Sequence, residues 1–316
     1  SEDLSLNPVE ISVEATQTTL EKLKIINNHI LSVAVRPSSR TVDGRDVEKT
    51  AKKQTNLLLK KMKIAYRVEE DWKITYKKLI DKVLAWPGSA IYISDKIRDK
   101  YNSEFGLDGE TVYLISTVQR KPFSIIDKKN PVITYFGNIG MGRNNSLNDI
   151  GYALGKINSQ YMLEVYSNEK DEQIYSVFKD NPNVKYMGSV PYAQVQKRMA
   201  ESDITVIVEG FEEKDINLSR YSLSTKAADA LASGAAILTY GSLESGIIEY
   251  MQSTKASMVC TDKGQLVNSI KRLLADEELQ HNYYEQAIVM TKEHHNILAS
   301  CRTSETVIEK AIHHMK

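Results

Sequence analysis

Val132-Ile133-Thr134-Tyr135-Phe136-Gly137-Asn138-Ile139-Gly140-Met141-Gly142-Arg143 decides how this chain folds. Its first five residues form an apolar, β-favouring run of the length of a buried strand. Gly137, Gly140 and Gly142 then open a turn, Arg143 follows, and a helical pattern begins near Asn145. Glycines let backbone approach a phosphate with no Cβ in the way. A helix start adds free N–H groups and the positive end of a dipole. Arg143 supplies a fixed, fork-shaped charge of the kind a diphosphate accepts. Taken alone, the stretch is served equally well by a second account, a tight strand-to-helix connection.

Working outward, strands and helices alternate on both sides. After the turn come helix 146–157, strand 162–166, helix 169–178, strand 184–186, helix 193–201 and strand 204–208. An acidic loop, a helix over 222–233 and a strand over 235–240 follow, then helical segments near 264–275, 277–292 and 296–315. Before it, helices over 14–27, 47–62, from Asp71-Trp72 to about Leu84, and 95–105 alternate with strands at 30–35, 64–68, 90–93 and 111–115. This alternation predicts parallel sheets with helices on their faces. The polar, proline-bearing stretch 118–130 breaks the rhythm and is expected to link two domains. The fold expected is α/β, with two Rossmann-like doubly wound domains. Residues 1–122 form the first, 123–295 the second, and 296–316 a closing helix packed back on the first. The first domain shows only four strands, about one βαβ unit fewer than usual, and reads either as a minimal domain or as an incomplete one.

Composition sets limits. A length of 316 residues suits two domains. The 41 basic and 41 acidic residues cancel, which argues against nucleic-acid binding through bulk charge and leaves only a local patch open. No apolar run is long enough to span a bilayer, and the polar start SEDLSLNPVE is not that of a signal peptide. Cys260 and Cys301 stand far apart with no metal or redox spacing, as expected of reduced thiols in a cytoplasmic protein.

A second segment changes the weight of the first. In Arg220-Tyr221-Ser222-Leu223-Ser224-Thr225-Lys226-Ala227-Ala228-Asp229 a hydroxyl-rich loop runs into a helix of small residues that ends at Gly234. Ser222, Ser224 and Thr225 are placed to cap that helix and to donate to an anion at its start. Lys226 adds a charge in the first turn, and Asp229 lies three residues on, on the same face. A phosphate at the helix start with a carboxylate one turn inside suits a nucleotide's diphosphate and ribose hydroxyls. A capped surface helix with a Lys–Asp pair is the competing account.

With these two segments in place, the chain resembles the GT-B glycosyltransferases, in particular the retaining family 4 that uses nucleotide-diphosphate sugars. Gly137 matches that family's loop glycine, Asn138 stands where arginine is usual, and Arg143 falls where lysine is usual. Thr225, Lys226, Asp229, Gly234 and Ile237-Leu238 match its later signature in spacing. The resemblance extends to Val184–Asp203, to Asp71-Trp72 and to Ala90–Tyr101, over roughly residues 70 to 290.

The resemblance implies a GT-B fold with a cleft between the domains, and roles for named residues. Arg143 and Lys226 would neutralise the departing diphosphate. Gly137, Asn138, Gly140 and Gly142 would line the phosphate loop, with Ser222, Ser224 and Thr225 at the second helix start. Asp229 would take the ribose hydroxyls, and backbone from Gly188 through Val190 to Tyr192 would cup the base. The family's first acid, which holds the donor sugar, falls on Tyr221, so Glu209, Glu212 or Glu213 would substitute for it.

No metal or cofactor is implied beyond the donor itself, and the same-face route of the family needs no dedicated base. His29 is the only histidine before residue 281 and reads first as structural, second as an N-terminal-domain base. The acceptor implied is a glycan or a lipid-linked sugar, as in polysaccharide biosynthesis. Lys52-Lys53 and Lys60-Lys61 read as a solvated helix face, with peripheral contact to anionic lipid at the inner face of a membrane as the second account. Two other functions stay open: a nucleotide-sugar-binding partner subunit without activity, and a nucleotide-sugar epimerase. Oligomeric state is open as well.

Overall fold

The computed structural model describes residues 90–314, with side chains as far as residue 310. His29, the basic helix over 47–62, Asp71-Trp72 and the first strands expected lie outside the described residues.

Ile204–Val208 (β6, ITVIV) is β-branched throughout, and all five residues are buried. Ile133–Phe136 (β3) beside it is buried just as fully. Strands apolar on both faces belong at the centre of a parallel sheet covered by helices. Around this pair stand Leu163–Tyr166 (β4), Val184–Gly188 (β5), Ala236–Tyr240 (β7) and Met258–Cys260 (β8), in the spatial order β5-β4-β3-β6-β7-β8. Every pairing is parallel. The order reverses between β3 and β6. In doubly wound sheets that reversal opens a crevice at the carboxyl ends of the strands, where ligands bind.

Helices pack by their apolar stripes. Arg143–Ile157 buries Leu147, Ile150, Gly151 and Leu154, and Leu266–Ala275 buries Leu266, Ile270, Leu273 and Leu274. Lys226–Ser233 buries Ala227, Ala228, Ala230 and Leu231, whose small side chains let it lie close to the sheet. Strand residues and the first two of these helices share the main core, with Tyr135, Leu163, Ile204 and Tyr240 inside it.

Several elements differ from the sequence expectation. The helix after the glycine turn starts at Arg143 rather than Asn145, because left-handed Gly142 is its N-cap. The acidic loop contains a helix, Glu213–Ser219, and the hydroxyl-rich segment stays non-helical until Lys226. Helix Gly246–Thr254 and β8 were not expected at all.

Contacts divide the chain into two units. The second holds Ile93–Ile97 and Val112–Arg302, and so includes the 118–130 stretch: the Lys121 N–H donates to the Ser233 carbonyl at 3.0 Å. The first holds, among the described residues, the parallel pair Ile91–Tyr92 (β1) and Glu110–Thr111 (β2). Within it Lys310 reaches Glu110 at 2.8 Å and Asp108 at 3.0 Å. No helix among the described residues is long and apolar enough to cross a membrane.

Candidate functional site

Two loops meet at the point where the strand order reverses, one leaving β3 and one leaving β6. Met141 and Gly142 both take positive φ, at 57° and 71°. A Cβ on Gly142 would run into the Asp215 carboxylate, and one on Gly210 into the Met141 carbonyl. Glycine at both places is what lets the loops touch. The Asn138 side chain accepts the Gly140 N–H at 2.8 Å and shapes the first loop from within.

Arg143, at the first helical position, is 8% exposed, and Glu209, directly after β6, is 3% exposed. Arg143 Nη2 donates to Glu209 Oε1 at 3.0 Å and lies 2.8 Å from Oε2. Arg143 Nε is buried with no hydrogen-bond partner, and Oε2 also lacks a hydrogen bond of good geometry. Burial opposes the charge on Arg143, but Glu209, Tyr135 and Asp215 together more than offset it and raise its pKa above the ordinary arginine value. Ser146 fixes the other side of Glu209 by donating to its carbonyl at 2.7 Å. Asp215 is buried too, and that burial raises its carboxyl pKa, with Lys214 and Arg143 pulling the other way.

A second cation arrives from the helix Lys226–Ser233. Lys226 Nζ lies 3.1 Å from the Tyr135 hydroxyl and 5.0 Å from the centre of its ring. The same hydroxyl donates to the Asn138 carbonyl at 2.6 Å. The lysine stem crosses Gly137 so closely that a Cβ there would overlap Lys226 Cε, and Gly137 has φ 133°. Tyr135, in β3 just before the glycine loop, thus adjoins both cations.

One turn into that helix, Asp229 accepts the Ser116 hydroxyl at 2.6 Å, and the Tyr192 hydroxyl lies close enough to act on its carboxyl. Its pKa is raised by burial, and the two hydroxyls act against that rise. Gly188, at φ 72°, closes β5, and its carbonyl accepts the Ser167 N–H at 3.0 Å. Val190 and then Tyr192 follow, so this loop reaches Asp229.

The structure brings Gly137, Asn138, Gly140, Gly142, Arg143, Glu209 and Lys226 together around one loop. Asp229 stands on the same helix as Lys226, at the Gly188–Tyr192 loop. Glu212 is exposed and paired with Lys214 at 2.7 Å. Ser224 supports the helix start, its Oγ accepting the Lys226 N–H at 3.4 Å, while Thr225 is exposed and makes no side-chain cap. The Ser222 N–H is taken by the Ser219 carbonyl. Sequence reasoning missed Tyr135, Ser116 and Asp215, and read Tyr192 for its backbone alone. Ser116 carried no signal, since it borders a stretch that reads as linker.

Residues 153–303 match the family model described as glycosyl transferase-like. No curated protein matches the chain by sequence. Among solved structures it is similar to WaaG, a glycosyltransferase involved in lipopolysaccharide biosynthesis, at 12% identity and a TM-score of 0.58 over 96% of this chain and 97% of that one. Anabaena HepE in complex with UDP follows at 13% identity and 0.59, over 84% and 81%. TarM gives 13% and 0.57 over 78% of this chain, which spans about half, 47%, of TarM. The fold in which residues 153–303 sit is that of the GT-B glycosyltransferases.

Proposed function

We propose that this chain transfers a sugar from a nucleotide-diphosphate donor to a glycan or lipid-linked acceptor, with retention at the anomeric carbon. The observation that carries the reading is Lys226 Nζ standing over Gly137, at the loop whose other end is Arg143 and a helix N-terminus. Breaking the anomeric bond leaves its electron pair on the diphosphate and positive charge on the sugar. Lys226, Arg143 and the free N–H groups of the helix meet the first of these charges, which lowers the barrier electrostatically. Asp229 accepts ribose hydroxyls, and backbone at Gly188–Tyr192 borders the base. The acceptor hydroxyl attacks on the face the diphosphate leaves, and the departing phosphate oxygen takes its proton. Neither a dedicated side-chain base nor a metal enters this scheme.

HepE was solved with UDP and WaaG acts in lipopolysaccharide biosynthesis, which makes UDP-sugars and lipid-linked saccharides the first donors and acceptors to try. The test is a thermal-unfolding screen of UDP, GDP, ADP and their sugars, since a ligand that binds the folded state raises its midpoint. It is followed by assay of donor consumption with and without a chelator. A shift with one nucleotide family and chelator-resistant turnover is the expected result. No shift with any nucleotide removes the proposal.

A second reading, nucleotide-sugar binding without turnover, is favoured by one observation: Glu209, the acid directly after β6, is already taken by Arg143. Binding with no consumption of any donor would select it. Interconversion of donors without an acceptor would select an epimerase.

A further inference from the structure

The Arg143–Glu209 pair is charge-balanced and almost fully buried, at the place where an uncompensated cation would be expected to face a diphosphate. Removing one partner of such a pair is strongly destabilising, because the remaining charge is left buried and unpaired. An incoming phosphate therefore does not displace Glu209 cheaply, and the pair persists through binding. Only one edge of the guanidinium is used. Nη2 takes the carboxylate, Nε is a buried donor without a partner, and Nη1 makes no hydrogen bond among the described residues. Glu209 is itself held, its backbone carbonyl accepting from Ser146 and its N–H donating to the Tyr240 carbonyl at 3.1 Å.

We infer that Glu209 is a positioning residue: it clamps Arg143 by Nη2 and keeps the rest of the guanidinium available, in one orientation, for the donor's departing diphosphate. The inference rests on the proposed glycosyl transfer and assigns Glu209 a task other than holding the sugar. A clamp of this kind trades ground-state attraction for geometry. The carboxylate cancels much of the charge that would otherwise draw a phosphate in, while fixing the cation where charge develops in the transition state. The neighbouring acid, Asp215, lies close enough to Arg143 to add to its field but makes no ion pair with it among the described residues.

The experiment measures the dissociation constants of UDP, GDP and ADP, and steady-state donor consumption, for wild type, Glu209→Gln, Glu209→Asp, Arg143→Met and the double variant Arg143→Met/Glu209→Gln. A positioning role predicts that Glu209→Gln binds the preferred nucleoside diphosphate about tenfold more tightly, since a like-sized neutral side chain unmasks the cation. Its kcat should fall at least tenfold, while Glu209→Asp, which keeps the charge, should retain wild-type affinity with an intermediate kcat. In the Arg143→Met background Glu209→Gln should no longer change affinity.

A sugar-holding role predicts the opposite pattern, with weaker binding of the intact sugar nucleotide and unchanged binding of the bare diphosphate. That result overturns the inference and leaves the proposed function standing. Equal loss of affinity in both Arg143 backgrounds also overturns it. If wild type binds no nucleoside diphosphate, the inference and the proposed function fall together. Should Glu209→Gln alone fail to fold, Glu209→Asp against the neutral double variant reads the same coupling.

Discussion

Lys226 Nζ stands 3.1 Å from the Tyr135 hydroxyl, although the two residues are 91 positions apart. The contact joins the helix Lys226–Ser233 to the end of β3, and its site is where the sheet reverses order. A lysine held by a phenol hydroxyl and a ring face is oriented without being neutralised, so its charge stays available.

Lys226→Ala should therefore lower donor turnover by about 10²-fold, in line with losing one group that stabilises transition-state charge. The unfolding free energy should change by no more than about 1 kcal/mol, since the residue is only partly buried. Donor consumption and chemical denaturation on the same preparations measure both. Turnover equal to wild type would remove Lys226 from the site.

Gly137→Ala brings two separate penalties. Its φ of 133° is strained for any residue with a Cβ, and the methyl group would overlap Lys226 Cε. The variant should be destabilised by about 1–3 kcal/mol. In a Lys226→Ala background the overlap is gone while the backbone strain remains, so the same substitution should cost less there. A double-mutant cycle by denaturant unfolding reads that difference as a coupling. Strict additivity would show that the lysine stem does not lie across the glycine.

What the sequence disclosed follows the range of the interactions involved. The strand 132–136 and the loop behind it are local, written in an apolar run and three glycines, and so were readable, as was Arg143 beside them. The placement of Lys226 one turn before Asp229 is also local. The Arg143–Glu209 pair depends on β3 lying next to β6, a tertiary adjacency that no spacing of 66 residues encodes. The helix Glu213–Ser219 was hidden because its apolar content is only Ile216 and Leu218 against a run of charges. Ser116 reaches Asp229 from the edge of a stretch that reads as linker, and nothing local marks its side chain or that of Tyr192 for this contact. Helix Gly246–Thr254 places Ile247, Ile248 and Met251 in a second core cluster, a burial set by the sheet rather than by an exposed-face pattern.

Asp229→Asn should separate stability from binding. The carboxyl pKa is raised in the folded state, mainly by burial, so the folded protein holds that proton more tightly than the unfolded chain. Stability then falls as pH rises from the ordinary aspartate value of 3.8 through the folded value, and the ionised group weighs against folding at neutral pH. Asparagine removes that penalty and keeps an oxygen for the Ser116 hydroxyl. The variant should melt at a higher temperature than wild type at pH 7 while binding nucleoside diphosphate about 10-fold or more weakly, through lost hydrogen bonds to a charged acceptor. Calorimetry at pH 7 and nucleotide titration provide the two readings. A lower melting temperature would mean that the charge, not merely the oxygen, is needed by Ser116 and Tyr192.

His295 gives the second unit a sensitivity to mild acid. Its Nδ1 lies 2.6 Å from the Leu114 carbonyl, which can only accept, so Nδ1–H donates there, and its Nε2 lies 2.9 Å from the Tyr250 hydroxyl. In the neutral ring Nε2 therefore accepts from Tyr250. Tyr250 also meets His294 Nδ1 at 3.1 Å, and the Tyr113 ring stacks on His294 while its hydroxyl bonds Asp95. Burial lowers the His295 pKa, His294 adds to that, and only the Leu114 carbonyl opposes it. A depressed value means that the unfolded chain takes up the proton first. Stability is thus complete above the unfolded value near 6.5 and is lost as pH falls below it toward the folded value. Unfolding midpoints measured from pH 8 to pH 5 should decline for wild type and stay flatter for His295→Gln, which can still donate to Leu114 and accept from Tyr250. If the two curves run parallel, the acid sensitivity belongs to another group, and the Leu114–His295–Tyr250 chain is only a packing contact.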